Sequence, residues 1–390
     1  MLVLISLLLA IAVMHQGIAN RLARSRPALA SQFAPHNARI AMDAARKAVE
    51  AGASATAPEV RKLVDAALLR DATLTSAIEM RALRAEADGD MRKEAALFAL
   101  SSAISRRSLP TRLWLMQHHV DRGDVAGALD ESDIALRTSS AAPEVLFPVL
   151  ARAASDPALA GPIAHVLDRP TEWRAMFLHY AITEAGAASA MADVVLHMHD
   201  RAMIAAGRID QMLIGRLVAE GKFASARAVH DAFHPAAKTA SLVRDPDFSD
   251  PAQLFPFGWN LVETGRAGVT RSQSEGRSVL SYQAVTLGGG EVASQLLMLP
   301  EGGYRFLAKA ADAANDHESA PYWTITCAEE GGAQIALFDQ PTRRGALAAA
   351  DFSVPPGCAA QWLALSLRPS ELTEGQSGTI ASVSIVRRPA

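Results

Sequence analysis

Residues 111–145 have the sequence TRLWLMQHHVDRGDVAGALDESDIALRTSSAAPEV, and this stretch indicates the architecture of most of the chain. Trp114 and His118 recur at the spacing of one helix face. Gly123 then interrupts the pattern, because glycine adopts the positive φ of a tight turn at little steric cost. A second helical pattern continues through Leu136. The stretch therefore predicts a helical hairpin, and one hairpin needs neighbours to bury its apolar face.

The same turn occurs elsewhere in the chain. Gly89 stands 34 positions before Gly123 between two helical patterns, and Gly221 is likewise followed by an alanine-rich segment. A period of about 34 residues with two helices per unit resembles tetratricopeptide repeats, although the glycine that the family carries in its first helix is absent. The resemblance implies a helical solenoid over residues 21–237 whose concave face binds partner proteins. A non-repeating helical bundle is the alternative.

Residues 1–20 contain an apolar run over positions 2–14, which is shorter than the roughly 20 residues of a membrane-spanning helix. We interpret it as an anchor that holds the chain at the inner membrane with the rest facing the periplasm. A cleaved signal peptide, which would leave a secreted or periplasmic protein, and a buried helix are alternatives. Arg21, Arg24 and Arg26 follow the run and oppose export, because positive charge usually stays cytoplasmic.

Charge and motifs exclude several functional classes. The 390 residues suit two or three domains, and the net charge of −3 lacks the basic surplus of a nucleic-acid binder. No phosphate-binding glycine loop, dinucleotide fingerprint or nucleophile elbow is present. The sequence therefore predicts no catalytic residue and no cofactor.

Two histidine pairs are candidate metal ligands. They are His197 with His199, and His230 with His234, the second pair sharing a helix face. A catalytic zinc site needs a third protein ligand, and a hydrolase also needs a base. Asp231 stands where zinc peptidases carry glutamate. We therefore predict packing and capping roles for these histidines and no metal site.

The chain changes character after residue 237. Residues 238–254 are acidic and punctuated by proline, which predicts a linker. Over residues 255–390 the apolar period changes from 3.6 to 2, and glycine and proline turns separate about nine or ten short strand patterns. This pattern predicts an antiparallel β-sandwich, most simply a jelly roll. The fold class is therefore multidomain α + β.

The two cysteines of the chain, Cys327 and Cys358, both lie at predicted strand ends of the sandwich. This placement predicts a disulfide, with two buried free thiols as the alternative. Because such a bond persists in an oxidising compartment, it favours the periplasm or the cell surface.

A hydrophobic segment, degenerate repeats and a sandwich follow one another in this chain, and the sandwich carries the motifs PFGW, LPEGGYRF, YWTITC and VPPGCAAQWL. This organisation resembles bacterial proteins associated with exopolysaccharide assembly and export. The resemblance implies a non-catalytic envelope scaffold that binds proteins through its repeats and a polysaccharide, or a partner subunit, through a carbohydrate-binding sandwich. A protein-only adaptor without a sugar site is the first alternative, and an uncharacterised enzyme is the second.

Sugar-binding sandwiches stack an exposed aromatic ring on the apolar face of a sugar. Most aromatic residues of a small sandwich belong to its core, so we expect one or two exposed rings. Five residues are candidates for glycan contact: Trp259, Tyr282, Tyr322, Trp323 and Trp362.

Overall fold

The computed structural model describes residues 13–15, 17–19, 21–22, 26, 29–30, 34, 37–183, 187–235, 241–252, 254–329 and 331–388. Most of the predicted hydrophobic segment, residues 1–20, lies outside these ranges, as do residues 238–240 and 253 of the predicted linker. Within the described ranges, every helix is too short or too polar to cross a membrane.

From residue 38 onward the first part of the chain is helical, as the sequence predicts. The helices are α1 Ala38–Glu50, α2 Pro58–Arg70, α3 Thr75–Ala87, α4 Met91–Ile104, α5 Leu109–Asp121, α6 Val125–Thr138, α7 Ala142–Ala153, α8 Pro157–Leu167, α9 Trp173–Thr183, α10 Ala188–His197, α11 Arg201–Ala206, α12 Ile209–Ala219 and α13 Phe223–Phe233. Helices α1 and α2, α3 and α4, α5 and α6, and α12 and α13 pack together as pairs.

The turn between α5 and α6 shows why glycine recurs in these hairpins. Gly123 has a φ of +72°, which an L-residue rarely adopts. This conformation lets the Asp124 N–H donate to the His119 carbonyl over 2.9 Å and close the end of α5. The Asp124 carboxylate then accepts from the Gly127 N–H at 2.9 Å and caps α6. Gly89 has a φ of +73° in the matching position, so the predicted hairpins are confirmed.

A buried carboxylate connects α3, α4 and α5. Glu79 is 7% exposed and accepts hydrogen bonds from the Ser101 hydroxyl at 3.0 Å and the Thr111 hydroxyl at 2.7 Å. The Ser108 hydroxyl is a third donor to the same oxygen. Because a buried carboxylate is costly unless it is hydrogen-bonded, these hydroxyls allow consecutive hairpins to share one polar contact.

The chain divides into two compact units. One contains the residues up to Ala153 together with His165–Phe177, and the other contains Ala154–Ala164 together with the residues from Leu178 onward. The second unit therefore holds α10 to α13 as well as the sandwich. This division lies upstream of the boundary at residue 237 that the composition suggested.

The second unit contains ten strands among its described residues. They are β1 Asn260–Leu261, β2 Ala267–Ser274, β3 Arg277–Ala284, β4 Gly290–Leu297, β5 Gly302–Ala310, β6 Tyr322–Cys327, β7 Gln334–Asp339, β8 Leu347–Val354, β9 Gln361–Leu367 and β10 Gln376–Arg387. They form two five-stranded antiparallel sheets, with orders β1-β4-β9-β6-β7 and β2-β3-β10-β5-β8. The predicted antiparallel sandwich is confirmed.

Alternation along β5 illustrates how the sandwich core is built. Tyr304, Phe306, Ala308 and Ala310 are buried, whereas Arg305 and Lys309 are exposed. Successive side chains of a strand point to opposite faces, so this order of residues places one face of β5 against the other sheet. The period of two predicted for this part of the chain is therefore present in β5.

The segment predicted as a linker belongs to the sandwich from residue 241 onward. Val243 and Phe248 are at most 1% exposed and lie in the same apolar core as the strands. The Val383 N–H of β10 also donates to the Pro246 carbonyl at 2.8 Å. Composition suggested a solvated linker because the acidic residues and prolines outnumber these two apolar side chains, but the apolar side chains determine where the segment packs.

Helix α13 contacts the segment before β1 through His230. The His230 side chain is 1% exposed, and its ring centroid lies 5.0 Å from that of Phe257. Burial is the main cause that lowers the pKa of His230 to about 4, with Arg244 and His234 lowering it further. The hydrogen bond that the Asp231 carboxylate accepts from the His230 ring opposes this shift without cancelling it.

The two cysteines form the predicted disulfide. Cys327 ends β6 and Cys358 precedes β9, and their Cα atoms are 5.5 Å apart. Strands β6 and β9 are hydrogen-bonded neighbours, with Cys327 opposite Gln361. This pairing brings the two sulfurs together.

Replacing Cys358 by alanine should lower the free energy of unfolding by about 2–5 kcal/mol, because the bond restricts the unfolded chain. Chemical denaturation of the oxidised protein and the variant measures this difference. Reduction of the wild type should reproduce the loss, and the double variant Cys327→Ala with Cys358→Ala should lose little more than either single variant. Two free thiols in non-reducing mass spectrometry of the native protein would contradict the bond.

His230 should make stability depend on pH between about 4 and 6.5. In that window the unfolded imidazole binds a proton that the folded one does not, so the free energy of unfolding falls as the pH falls. Over the whole window the loss in the free energy of unfolding is on the order of 3 kcal/mol, and the contribution is constant above about pH 6.5. Urea denaturation at several pH values gives the free energy of unfolding as a function of pH. Below pH 6.5 this free energy should change less steeply with pH in His230→Gln than in the wild type. An equal pH dependence in both proteins would show that His230 does not cause the loss of stability.

Candidate functional site

Three of the five aromatic candidates are core residues, as expected for most aromatic residues of a small sandwich. Trp259, Tyr282 and Trp323 are 1%, 3% and 0% exposed, so they present no free ring face to a sugar. The Trp323 indole N–H is satisfied internally by the Gln340 side-chain oxygen at 2.8 Å. Burial is the first cause that raises the pKa of the Tyr282 phenol to about 12, and the Asp316 carboxylate adds to it.

Tyr322 is half-buried on the outer side of the first sheet, but one face of its ring is occupied. The Arg368 guanidinium lies 4.6 Å from the ring centroid, a cation–π distance. Arg368 also forms an ion pair with Asp339 at 2.7 Å. This ring is therefore already engaged by the protein itself.

Trp362 on β9 is half-buried, and its indole stacks against Phe255. The ring centroids are 5.9 Å apart and the planes differ by 16°. Phe255 is 48% exposed, which makes it the more accessible ring of the pair. Phe255 is not among the five residues that the sequence suggested for glycan contact.

A turn, not a strand, determines the position of Phe255. The Gly258 N–H donates to the Leu254 carbonyl at 2.8 Å, and the Pro256 carbonyl accepts from the Leu296 N–H of β4 at 2.7 Å. A Cβ at Gly258 would lie 3.0 Å from the Leu254 Cβ, so glycine suits this close approach. The first strand, β1, therefore begins only at Asn260, and Phe255 lies on the surface while Phe257 is buried.

Phe255 borders a cavity of about 520 Å³ within the second unit. We call it the Phe255 cavity; its described lining is Gly207, Arg208, Gln211, Met212, Phe255, Trp259, Asn260 and Leu261. The α11–α12 junction and the first turn of α12 contribute four of these residues, and the chain leading into and through β1 contributes the others. Residues about 50 positions apart in sequence therefore share one site.

The polar groups of the Phe255 cavity are a guanidinium and two side-chain amides. The Gln211 side-chain oxygen accepts hydrogen bonds from Arg208 Nε at 3.0 Å and Arg208 Nη2 at 2.8 Å. Asn260, which lies opposite Ser294 of β4, is half-buried. An aromatic face beside planar hydrogen-bonding groups is suited to a polyhydroxylated ring. The described lining thus offers binding groups and contains no carboxylate, histidine or thiol.

The histidines weighed as metal ligands are held by other contacts. His234 Nε2 lies 2.7 Å from an oxygen of Asp210, and His230 Nδ1 lies 3.2 Å from an oxygen of Asp231. In the described part of the chain, one group of three potential ligands is closely spaced, namely Cys327, Glu329 and Cys358. Its two sulfurs are joined in the disulfide, so they do not ligate a metal in this state.

Comparisons with known proteins place limits on inference from similarity. The sequence matches no protein family and no curated protein. Three solved structures illustrate what the fold is similar to. The enzymatically active domain of bacteriophage CBA120 tailspike protein 4 has 14% identity and a TM-score of 0.29 over 38% of this chain and 21% of its own. This chain therefore spans about a fifth of that protein.

The other two are carbohydrate-binding modules. The module TmCBM61, solved with β-1,4-galactotriose, has 14% identity and a TM-score of 0.26 over 38% of this chain and 100% of its own. The CBM22-1 xylan-binding domain of Paenibacillus barcinonensis Xyn10C has 14% identity and a TM-score of 0.28 over 40% of this chain and 100% of its own. TM-scores this low carry no argument about function, so function is argued from the geometry of the Phe255 cavity.

Proposed function

We propose that this chain is a non-catalytic scaffold of the bacterial cell envelope. Its sandwich binds a polysaccharide at the Phe255 cavity, and its helical hairpins bind partner proteins. The observation that carries the proposal is the half-exposed Phe255 ring, stacked on Trp362 and bordering a cavity of about 520 Å³.

The Phe255 cavity has the size and composition of a sugar site. Its volume of about 520 Å³ lies within the range of roughly 300–1,000 Å³ that ligand pockets usually have. The accessible face of Phe255 provides a surface for the C–H face of a pyranose ring, and Asn260 and Gln211 provide amide groups for hydroxyls. Hydrogen bonds of this kind determine orientation, whereas the ring contact excludes water from the apolar face.

Trp362 acts through Phe255 in this proposal. A stacked aromatic pair stabilises its own arrangement by about 0.5–1.5 kcal/mol beyond the buried area. Trp362 thereby restricts the Phe255 ring before the ligand arrives, and less conformational entropy is lost on binding. Trp362 is thus a positioning residue, and Phe255 is the contact residue.

Other parts of the proposal rest on the helices and the disulfide. Turns of the same geometry at Gly89 and Gly123 support tetratricopeptide-like repeats, which bind partner proteins on a concave face. The Cys327–Cys358 bond supports an oxidising location such as the periplasm. A scaffold in exopolysaccharide assembly or export, held at the inner membrane by residues 1–20, would combine these properties.

Replacing Phe255 by alanine should weaken polysaccharide binding at least about tenfold, a loss of roughly 1.4 kcal/mol. The reason is that the ring contact is removed while the amides remain. Affinity electrophoresis of the full chain against a panel of polysaccharides identifies a ligand, and calorimetry then measures Kd. Trp362→Ala should weaken binding less than Phe255→Ala does. Trp362→Phe should retain most of the affinity that Trp362→Ala loses, because phenylalanine can still stack on Phe255.

Tyr322→Ala is the matched control, because it removes an aromatic ring from the same sheet. That ring is already covered by Arg368 in the protein. We expect its Kd to equal that of the wild type. Unchanged affinity of a folded Phe255→Ala variant would contradict the proposed site. Failure of the wild type to bind any polysaccharide would instead favour a protein-only adaptor.

A further inference from the structure

We infer that the Phe255 cavity selects sugars that carry an anionic substituent, such as the carboxylate of a uronic acid, through Arg208. This inference rests on the proposed function, because it names the class of glycan for the same site. It follows from the charge of the cavity and from the bonding of one guanidinium.

The described lining of the Phe255 cavity contains one charged residue, Arg208, and no carboxylate. Asp210 lies two residues further along the chain but is 1% exposed, and one of its oxygens lies 2.7 Å from His234 Nε2. One oxygen of that carboxylate is therefore in contact with His234, and Asp210 is not part of the described lining. The described lining thus presents one positive side chain and no negative one to a ligand.

The bonding of Arg208 differs from that of nearby arginines. Arg216 pairs with Glu220 at 2.7 Å, and Arg227 pairs with Asp231 at 2.7 Å. Arg208 instead donates to the neutral side-chain oxygen of Gln211, and its described contacts include no ion pair. A guanidinium has five N–H donors, so the two bonds to Gln211 leave three for a ligand.

The backbone at Arg208 positions this guanidinium at the cavity. Arg208 has a φ of +52° and ψ of +28°, in the left-handed region, immediately before α12. That region is unfavourable for most side chains, whereas asparagine tolerates it comparatively well. A substitution by asparagine therefore removes the charge and keeps the backbone preference, which matters for the design of the test.

The chemistry of a uronic acid matches the two sides of the cavity. Its pyranose ring has an apolar C–H face for Phe255, and its carboxylate projects from the edge of the ring toward a group beside that face. Guanidinium groups bind carboxylates through two parallel N–H···O bonds, which gives direction as well as attraction. Sulfate and phosphate esters offer the same oxygen geometry, so the probes must distinguish these substituents.

The test uses the full chain and two oligosaccharides that differ only in charge, namely oligogalacturonate and its fully methyl-esterified form. Calorimetry should show at least about tenfold tighter binding of the acid by the wild type. Arg208→Asn should reduce the affinity for the acid to that for the ester, and Arg208→Lys should restore part of the difference. Raising the salt concentration should weaken only the binding of the acid, because salt screens exposed charges.

Arg216→Asn is the control for net charge, because it removes a positive charge from α12, the helix that follows Arg208, and Arg216 lies outside the cavity lining. Its affinity for the acid should equal that of the wild type. Dextran sulfate against dextran forms the second pair of probes. A preference for oligogalacturonate or for dextran sulfate over its neutral partner supports the inference if it depends on Arg208. The larger of the two preferences identifies whether the substituent is a carboxylate or a sulfate.

Three results would overturn the inference. The first is equal affinity of the wild type for the charged and neutral members of both pairs of probes. The second is a preference for the charged sugar that is unchanged in Arg208→Asn. The third is a loss of affinity for the charged sugar in Arg216→Asn as large as that in Arg208→Asn. If neutral sugars bind in a Phe255-dependent way, the proposed glycan-binding function remains and only the selectivity is wrong. If none of the four probes nor any other polysaccharide binds, the proposed function itself fails.

Discussion

The register of β9 against its two neighbours determines the exposure of the aromatic residues on the first sheet. Gln361, at the start of β9, is 0% exposed. Its amide nitrogen donates to the Leu299 carbonyl at 3.2 Å and to the Cys358 carbonyl at 2.8 Å. Its amide oxygen accepts from the Leu299 N–H at 2.9 Å. A buried amide with these partners has little freedom to shift. Because side chains alternate, a slip by one residue would turn Trp362 into the core and Leu363 outward. The Phe255–Trp362 stack and the disulfide both depend on this register.

Local chemistry explains which features were predictable. The hairpin turns follow from glycine at Gly89 and Gly123, where neighbouring residues alone specify the backbone. The alternation of β5 follows from a period of two. Cys327 and Cys358 were predictable as a pair, because the chain has two cysteines and both lie at strand ends.

The candidate site was much less predictable, because its parts depend on tertiary contacts. Alternation shows that two faces of a strand differ but does not show which one faces the core, so Trp323 and Trp362 were equivalent candidates. Phe255 is exposed because a turn precedes β1, and Arg208 joins it through packing of a distant helix. No pattern within either segment contains that information. The solvated appearance of residues 241–252 was misleading for a similar reason, since two apolar side chains among acidic ones were enough to place the segment in the core.

The packing of Val243 and Phe248 also bears on how this sandwich can be divided or inherited. A gene fragment that begins at residue 255 would encode all ten strands yet omit two side chains that fill their interior. Large-to-small core changes typically cost about 2–5 kcal/mol each, so loss of both would be a substantial fraction of the stability of an ordinary domain. A fragment that is to fold as this sandwich should therefore include residues 241–252. The boundary of a fusion protein or of a recombined gene should lie upstream of residue 241.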